Sequence, residues 1–224
     1  MVEYTLTRSN RKTLAIHVSH GYVEVRAPLK TPKQNIDKFV FSKEKWIGDK
    51  LSALNERMAQ RNDFRLIYGD YVTYRGKQYP IVGKPGDRIG YDGLCFYMPP
   101  DLSPEQIKYA CIDIYRNLAK RHLTEKAYAL AKEMSVTPSA VKINSAKSRW
   151  GSCSSKKSVN FSWMLMMADD DVIDYIVVHE LAHIIELNHS PRFWRCVENV
   201  MPDYKKRMAK LKELQRRLVS EDWS

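Results

Sequence analysis

The chain has 224 residues, of which 44% are hydrophobic and 28% are charged. This length is sufficient to bury a sizeable core, and the composition excludes an intrinsically disordered protein. The formal net charge of +11 favours acidic partners such as nucleic acid, nucleotides or an anionic membrane surface.

The N-terminal residues, MVEYTLTRSNRK, lack the apolar core of a secretory signal peptide. The longest unbroken apolar run, residues 163–168, is far shorter than the roughly 20 residues that a bilayer span needs. We therefore expect a soluble, cytoplasmic protein without a membrane partner. The four cysteines form no CxxC pair, which excludes a cysteine-rich zinc knuckle and favours free, buried thiols.

Alternating apolar residues at 12–18 and 22–26 predict a β-hairpin with its turn at residues 20–21. The next segment, TPKQ at residues 31–34, has the residues of a helix capping box, with proline at the first helical position. It predicts one long helix that ends near residue 58.

Residues 64–98 return to short β-rich runs that are separated by glycine-containing turns. The sequence SPEQ at residues 103–106 then predicts the start of a long helix that ends near Met134. We place a domain boundary in the proline-containing segment between these two regions. This gives a β-rich N-terminal domain with one long helix, residues 1–100, and a catalytic domain, residues 101–224.

Strand patterns recur at residues 140–161, and the pattern is helical from Asp169 onward. Asp169, Asp170 and Asp171 are suited to capping and charging the N-terminus of a helix. The helix that they begin is rich in apolar residues, so we expect it to be largely buried.

Residues 178–191, VHELAHIIELNHSP, carry an HExxH pattern on this predicted helix. His179 and His183 are four residues apart and project from one side of a helix, where a tetrahedral zinc ion accepts two imidazole nitrogens. Glu180 follows the first histidine and can reach the open metal position as a general base. The pattern predicts a Zn²⁺ site.

A catalytic zinc ion usually has three protein ligands and a water, and His189 is the natural third ligand. A continuous helix would carry His189 about 9 Å along the axis from His183, so the chain must leave the helix between them. Asn188 tolerates the left-handed conformation that ends helices, and Pro191 prevents continuation. Glu186, one turn after His183, is an alternative third ligand.

The segments HELAH, NHSPRFW and MPDYKKR resemble the YgjP-like family of predicted metal-dependent hydrolases, which is related to the small zincins of the SprT and WLM types. SRWGSCS, VIDYIVVHE and the more N-terminal YVTYRGKQYPIV match the same family, so the resemblance covers nearly the whole chain. Metzincins share the spacing from His179 to His189 but have glycine at the position of Glu186, which excludes them.

The resemblance implies zinc bound by His179, His183 and His189, with Glu180 catalytic. It also implies an α+β fold with a gluzincin-like C-terminal zincin core, which consists of a small sheet, an active-site helix and a backing helix. The chain departs from the family at Ser162, where the family often has asparagine; this position flanks the site and leaves the ligands unchanged.

Further residues are candidates for substrate binding. Arg149, Trp150, Gly151 and Ser152 are predicted to form the edge strand of the cleft, to which an extended peptide adds through main-chain hydrogen bonds. The alternative is that Trp150 packs in the core and that Gly151 marks a bulge. Tyr204 is a candidate hydrogen-bond donor to a developing oxyanion, with a place in the core as its alternative.

The leading interpretation is a zinc metallopeptidase, in which Glu180 takes a proton from water and passes it to the leaving amine of a peptide or protein substrate. A second hypothesis is a nucleoside triphosphate (UTP) pyrophosphatase that uses the same metal site, because YgjP-like proteins also carry that label. A third is a nucleic-acid-associated protease or binding module. It draws on the basic N-terminal region and on basic residues near the C-terminus, the latter also typical of a solvated helix face. The basic residues near the C-terminus are Lys205, Lys206, Arg207, Lys210, Lys212, Arg216 and Arg217.

Overall fold

Helices and small sheets alternate along the chain, which confirms the predicted α+β fold class. The computed structural model describes residues 2–19 and 21–223. They divide into two compact units. The first takes in the described residues up to Phe64 together with Val219–Asp222, and the second takes in Arg65–Leu218 together with Trp223. The domain boundary near residue 100 stays a prediction.

The first unit combines a small sheet with two helices. Its elements among the described residues are β1 (Thr5–Ser9), β2 (Ala15–Ser19), β3 (Tyr22–Pro28), α1 (Lys33–Ser42) and α2 (Glu44–Asp63). The central strand β3 is parallel to β1 and antiparallel to β2. Alternate residues of β3 are buried together with residues of both helices; the cluster is Val23, Val25, Ala27, Ile36, Val40 and Ile47.

The hairpin of β2 and β3 agrees with the sequence prediction, although His20 of its predicted turn lies outside the described residues. The predicted cap at Thr31 was wrong, because Pro32 occupies the N-cap position of α1. The single helix predicted here is divided at Lys43. The backbone N–H of Lys43 donates to the carbonyl of Val40, three residues earlier, and α1 ends there before α2 begins.

The second unit begins with strands β4 (Tyr71–Tyr74), β5 (Lys77–Gly83), β6 (Gly90–Tyr91) and β7 (Phe96–Met98). They form a sheet in the order β4-β5-β7-β6, as the β-rich pattern of residues 64–98 predicts. Arg75 and Gly76 form the turn between β4 and β5. Both have a positive φ, 50° and 74°, which is typical of the hairpin turn that fits twisted strands.

Ser103 and Gln106 form the predicted capping box at the start of α3 (Pro104–Glu133). A second sheet follows, with strands β8 (Ala140–Asn144), β9 (Gly151–Cys153) and β10 (Ser158–Ser162). Its order is β8-β10-β9, with β10 parallel to β8 and antiparallel to β9. Strand β9 is therefore an edge strand.

A 3₁₀ helix (Trp163–Met167) follows β10. The chain is then mainly helical, as predicted from Asp169 onward, with α4 (Asp170–Ala182), α5 (Pro191–Val200) and α6 (Tyr204–Leu218). Helix α4 is apolar and largely buried, and it contacts β9, α3, α5 and α6. The small sheet, the HExxH helix α4 and the backing helix α3 give the predicted C-terminal core. Each helix in the described part of the chain is too short or too polar to cross a membrane.

Two of the three aspartates at the start of α4 accept hydrogen bonds of 2.6 Å from side chains of neighbouring elements. Arg75 of the β4–β5 turn donates two hydrogen bonds of 2.6 Å to Asp170, and these hold the pKa of Asp170 below its ordinary value. Lys210 of α6 donates one of 2.6 Å to Asp171. Asp169 occupies the N-cap position, but its side chain makes no cap hydrogen bond, contrary to the prediction.

Candidate metal centre

The chain leaves α4 immediately after the HExxH pattern. The N–H groups of Ile185 and Glu186 both donate to the carbonyl of Ala182, at 3.0 Å each, so the backbone tightens into a turn. The departure falls between His183 and His189, where the sequence requires it.

Side-chain hydrogen bonds fix the segment that follows. Asn188 Oδ1 accepts from the N–H of Ser190 at 3.0 Å, and Ser190 Oγ accepts from the N–H of Phe193 at 3.3 Å. The predicted left-handed conformation of Asn188 was wrong, since its φ is not positive. Pro191 is the first residue of α5, so it starts the next helix where its missing N–H costs no hydrogen bond.

This turn places the ring of His189 beside those of the two helical histidines. Nε2 of His189 lies 3.1 Å from Nε2 of His179. The centroid of the His183 ring lies 5.1 Å from that of His179 and 4.7 Å from that of His189. One nitrogen from each of the three rings lies within 4.8 Å of the other two, and this is the only group of possible metal ligands of this kind among the described residues.

The protonation of the rings suits metal binding. His183 Nδ1 donates to the carbonyl of Glu186 at 3.0 Å, which leaves the Nε2 lone pair available. Burial, reinforced by the neighbouring His183 and His189, lowers the pKa of His179 to about 3. Burial also lowers the pKa of His183. Both rings are therefore neutral near pH 7, as metal ligands must be.

The donor set fits a zinc ion. Two nitrogens bound to one tetrahedral zinc at about 2.0–2.1 Å lie about 3.4 Å apart. The observed separation of 3.1 Å between the Nε2 atoms of His179 and His189 is close to this value. Glu186, the alternative third ligand, offers its carbonyl to His183, and its carboxylate lies outside the group. Three imidazoles leave one tetrahedral position free, as catalytic zinc sites do.

Glu180 lies on α4 directly after the first histidine, and only 6% of it is exposed. Burial raises its pKa to about 7, and the charge of Arg149 opposes this rise. Its side chain packs against the backbone of Gly151 in β9. A Cβ at position 151 would lie 2.6 Å from Glu180 Cγ and 2.7 Å from Oε1. The edge strand therefore borders the candidate metal centre.

The register of β9 shows which of its main-chain groups face outward. The carbonyl of Trp150 accepts from Ser162, and the N–H of Ser154 donates to Ser158, so both groups face β10. Because the direction alternates along a strand, the N–H and C=O groups of Gly151 and Cys153 face the open edge. Pairing with β10 continues without a slip, so Gly151 does not mark a bulge.

Of the other residues predicted in this strand, Arg149 and Trp150 precede β9, and Ser152 lies within it. Arg149 is exposed, and its charge acts on Glu180. Trp150 and Ser152 are partly buried. Their part in substrate binding stays a prediction.

Tyr204 is further from the histidines. It is buried at the start of α6 and stacks on Trp194, with ring centroids 5.3 Å apart. Trp194 in turn lies 6.0 Å from the ring of His179 and 5.8 Å from that of His189. Tyr204 thus adjoins the site through one intervening ring, and its role as a hydrogen-bond donor stays a prediction.

Two further residues near the site are missing from the sequence prediction. The ring of Tyr175 lies 5.9 Å from that of His179, and its position one helical turn earlier was an available signal. Cys153 lies near Glu180, and burial followed by the Glu180 charge raises the pKa of its thiol. Its position relative to Glu180 depends on the packing of β9 against α4, which has no local signal.

Three comparisons relate the chain to known proteins. A family model described as "YgjP-like, metallopeptidase domain" matches residues 12–214. Among solved structures, the chain is similar to the metallopeptidase zymogen of Pyrococcus abyssi abylysin, at 21% identity over 43% of this chain and 94% of that chain, with a TM-score of 0.38. It is also similar to the zymogen of Methanocaldococcus jannaschii jannalysin, at 22% identity over 43% and 97%, with a TM-score of 0.37. No curated protein matches the sequence.

Proposed function

The chain belongs to the YgjP-like metallopeptidase family, and on that premise we propose that it is a zinc-dependent peptidase with Glu180 as its general base. The observation that carries this proposal is the convergence of three imidazole nitrogens within 4.8 Å, next to a buried carboxylate. His179, His183 and His189 would hold the ion. A zinc ion held there supplies Lewis acidity to the attacking water and to the substrate carbonyl.

Glu180 moves the proton in this proposal. Its carboxylate accepts a proton as water attacks the peptide carbonyl, and it returns that proton to the nitrogen of the leaving amine. The buried position keeps bulk water from competing for the carboxylate. The base ends the reaction ionised, as it began.

The open edge of β9 supports a peptide as the substrate. The outward N–H and C=O groups of Gly151 and Cys153 can pair with an extended chain, as an additional strand does. Because Gly151 lies against Glu180, a peptide bound there passes close to the base. No comparable feature among the described residues favours UTP or nucleic acid, and those hypotheses stay predictions, as does the cytoplasmic location.

Glu180→Gln tests the proposal. The variant keeps the shape of the side chain, so it should bind one zinc per chain, while hydrolysis of casein and model peptides falls by about 100- to 10,000-fold. Glu198→Gln, the same substitution at an exposed position of α5, should change neither property. Chelator-sensitive release of pyrophosphate from UTP, without cleavage of casein or peptides, would contradict the proposal.

A further inference from the structure

We propose that Gly151 is a positioning residue for Glu180, because the space left by its missing side chain holds the Glu180 carboxylate beside the edge strand. The functional consequence rests on the proposed role of Glu180. The packing of Glu180 against Gly151 does not depend on that role, and it can be tested in protein without metal.

The distances exclude a side chain at position 151 in this arrangement. A Cβ there would lie 2.6 Å from Glu180 Cγ, 2.7 Å from Oε1 and 2.8 Å from Cδ, and real Cβ atoms do not approach other atoms this closely. The φ angle of Gly151 is not positive, so its backbone conformation is open to any residue. A side chain at this position would therefore require the Glu180 side chain to move, and the obstacle to substitution is space and not backbone conformation.

Packing is the main restraint on the Glu180 side chain. Only 6% of this residue is exposed, and its side chain lies against the backbone of Gly151. The strand that contacts it is hydrogen-bonded to β10 on both sides of Gly151, through the carbonyl of Trp150 and the N–H of Ser154. A flexible glutamate pressed against a fixed backbone loses the freedom to turn away.

This contact matters because a general base must lie within hydrogen-bond reach of the proton that it takes. The same glycine carries outward main-chain groups at the edge where a peptide can add. A methyl group at position 151 would displace the carboxylate from the strand that presents the substrate. A displacement of about 1 Å at a reacting group can cost about 100-fold in rate.

A double-mutant cycle in the presence of chelator tests the packing. Gly151→Ala should lower the midpoint of thermal unfolding by roughly 5 °C, because a well-packed site must accept an extra methyl group. In a Glu180→Ala background the three crowded atoms are absent, so the same substitution should have little effect. If Gly151→Ala does not fold on its own, it should fold in that background. Equal effects in both backgrounds, or a failure to fold in both, would overturn the proposal.

Gly48→Ala is the matched control. Gly48 also has a φ that is not positive, and a Cβ at that position meets no atom within 4 Å. Its substitution should have the same small effect whether residue 180 is glutamate or alanine. If the effect of Gly48→Ala on thermal unfolding depended on residue 180 as strongly as that of Gly151→Ala, the double-mutant cycle would not report the contact between Gly151 and Glu180. That result would count against the proposal.

Kinetics of the zinc-loaded enzyme separate positioning from substrate docking. Gly151→Ala should bind one zinc and lower kcat for a model peptide about 100-fold, with KM changed little. A raised KM with unchanged kcat would overturn the positioning role in favour of docking. Coupling in the unfolding cycle without any peptidase activity in the wild type would support the contact and contradict the proposed function instead.

Discussion

Phe193 contacts all three histidines of the candidate metal centre with a single buried ring. Its centroid lies 4.9 Å from that of His179, 4.5 Å from that of His183 and 4.8 Å from that of His189. The ring is fully buried in the first turn of α5. These contacts indicate that Phe193 sets the orientation of the three imidazole rings.

Phe193→Leu should therefore weaken zinc binding by about 10- to 100-fold, as changes in the shell around metal ligands do. The leucine keeps the site apolar but lacks the flat surface that contacts three rings. Competition with a chromophoric chelator measures the affinity. Phe96→Leu alters an equally buried ring in β7 that contacts tyrosines, and it should leave zinc binding unchanged. Equal losses in both variants would contradict the prediction.

The residues of the site differ in how far the sequence could predict them. His179, Glu180 and His183 lie within five positions of one helix, so helical geometry alone brings them together. The expectation of a third ligand predicts the turn that brings His189 to the other two rings. It does not predict how the turn forms, because Asn188 acts through a side-chain hydrogen bond and not through a left-handed backbone. The contact of Gly151 with Glu180 spans two elements and has no local signal.

At the scale of elements, the β4–β5 turn braces the start of α4. The N–H of Arg75 donates to the carbonyl of Met166 at 2.8 Å, and the guanidinium of Arg75 binds Asp170. Gly76, with φ of +74°, approaches so closely that a Cβ there would overlap the Asp169 carboxylate. The turn thus fixes the end of α4 that is opposite to the histidines.

Gly76→Ala should destabilise the protein for two reasons, the positive φ and the overlap with Asp169. Gly86→Ala separates them, since Gly86 also has a positive φ but faces open space. We expect Gly76→Ala to cost about 1–3 kcal/mol more than Gly86→Ala in the free energy of unfolding. Urea unfolding measures both. Equal costs would show that Asp169 moves aside freely and that the turn does not brace α4.

Helix ends were predictable where local chemistry sets them. The capping box of Ser103 and Gln106 places the start of α3 correctly, because each side chain bonds the backbone of the other. The break at Lys43 has no glycine or proline to mark it. It follows instead from tertiary packing, since Ile36 of α1 and Ile47 of α2 belong to the same buried cluster. A pattern of apolar residues within one segment does not contain that information.

At the scale of the whole molecule, part of the positive charge has a structural use. Lys210 binds Asp171, and Arg207 binds Asp203 and the carbonyl of Asp171. These basic residues of α6 therefore hold the helix against the start of α4. Lys206 and Lys212 are exposed, as expected for residues on a solvated helix face.

The division into two compact units has no local signal in the sequence. The sheet of residues 71–98 lies in the same unit as the candidate metal centre, and the chain first passes from one unit to the other between Phe64 and Arg65. Phe64 directly follows the long helix α2, without a proline- or glycine-rich linker to mark the division. The domain boundary near residue 100 stays a prediction.

All three histidines lie in the second unit, so metal removal should act on the stability of that unit. Zinc at about 1,000 times its Kd stabilises the folded state by about 4 kcal/mol, which corresponds to a rise of roughly 10 °C in Tm. Tryptophan fluorescence can follow this change, because four of the five tryptophans belong to the second unit. These are Trp150, Trp163, Trp194 and Trp223.

Chelator should lower Tm in the wild type and in His17→Ala, which alters an exposed histidine of β2. In His189→Ala, chelator should have little effect, because the exposed third ligand is missing while the buried helix is intact. An equal response to chelator in His189→Ala and the wild type would show that zinc binds elsewhere.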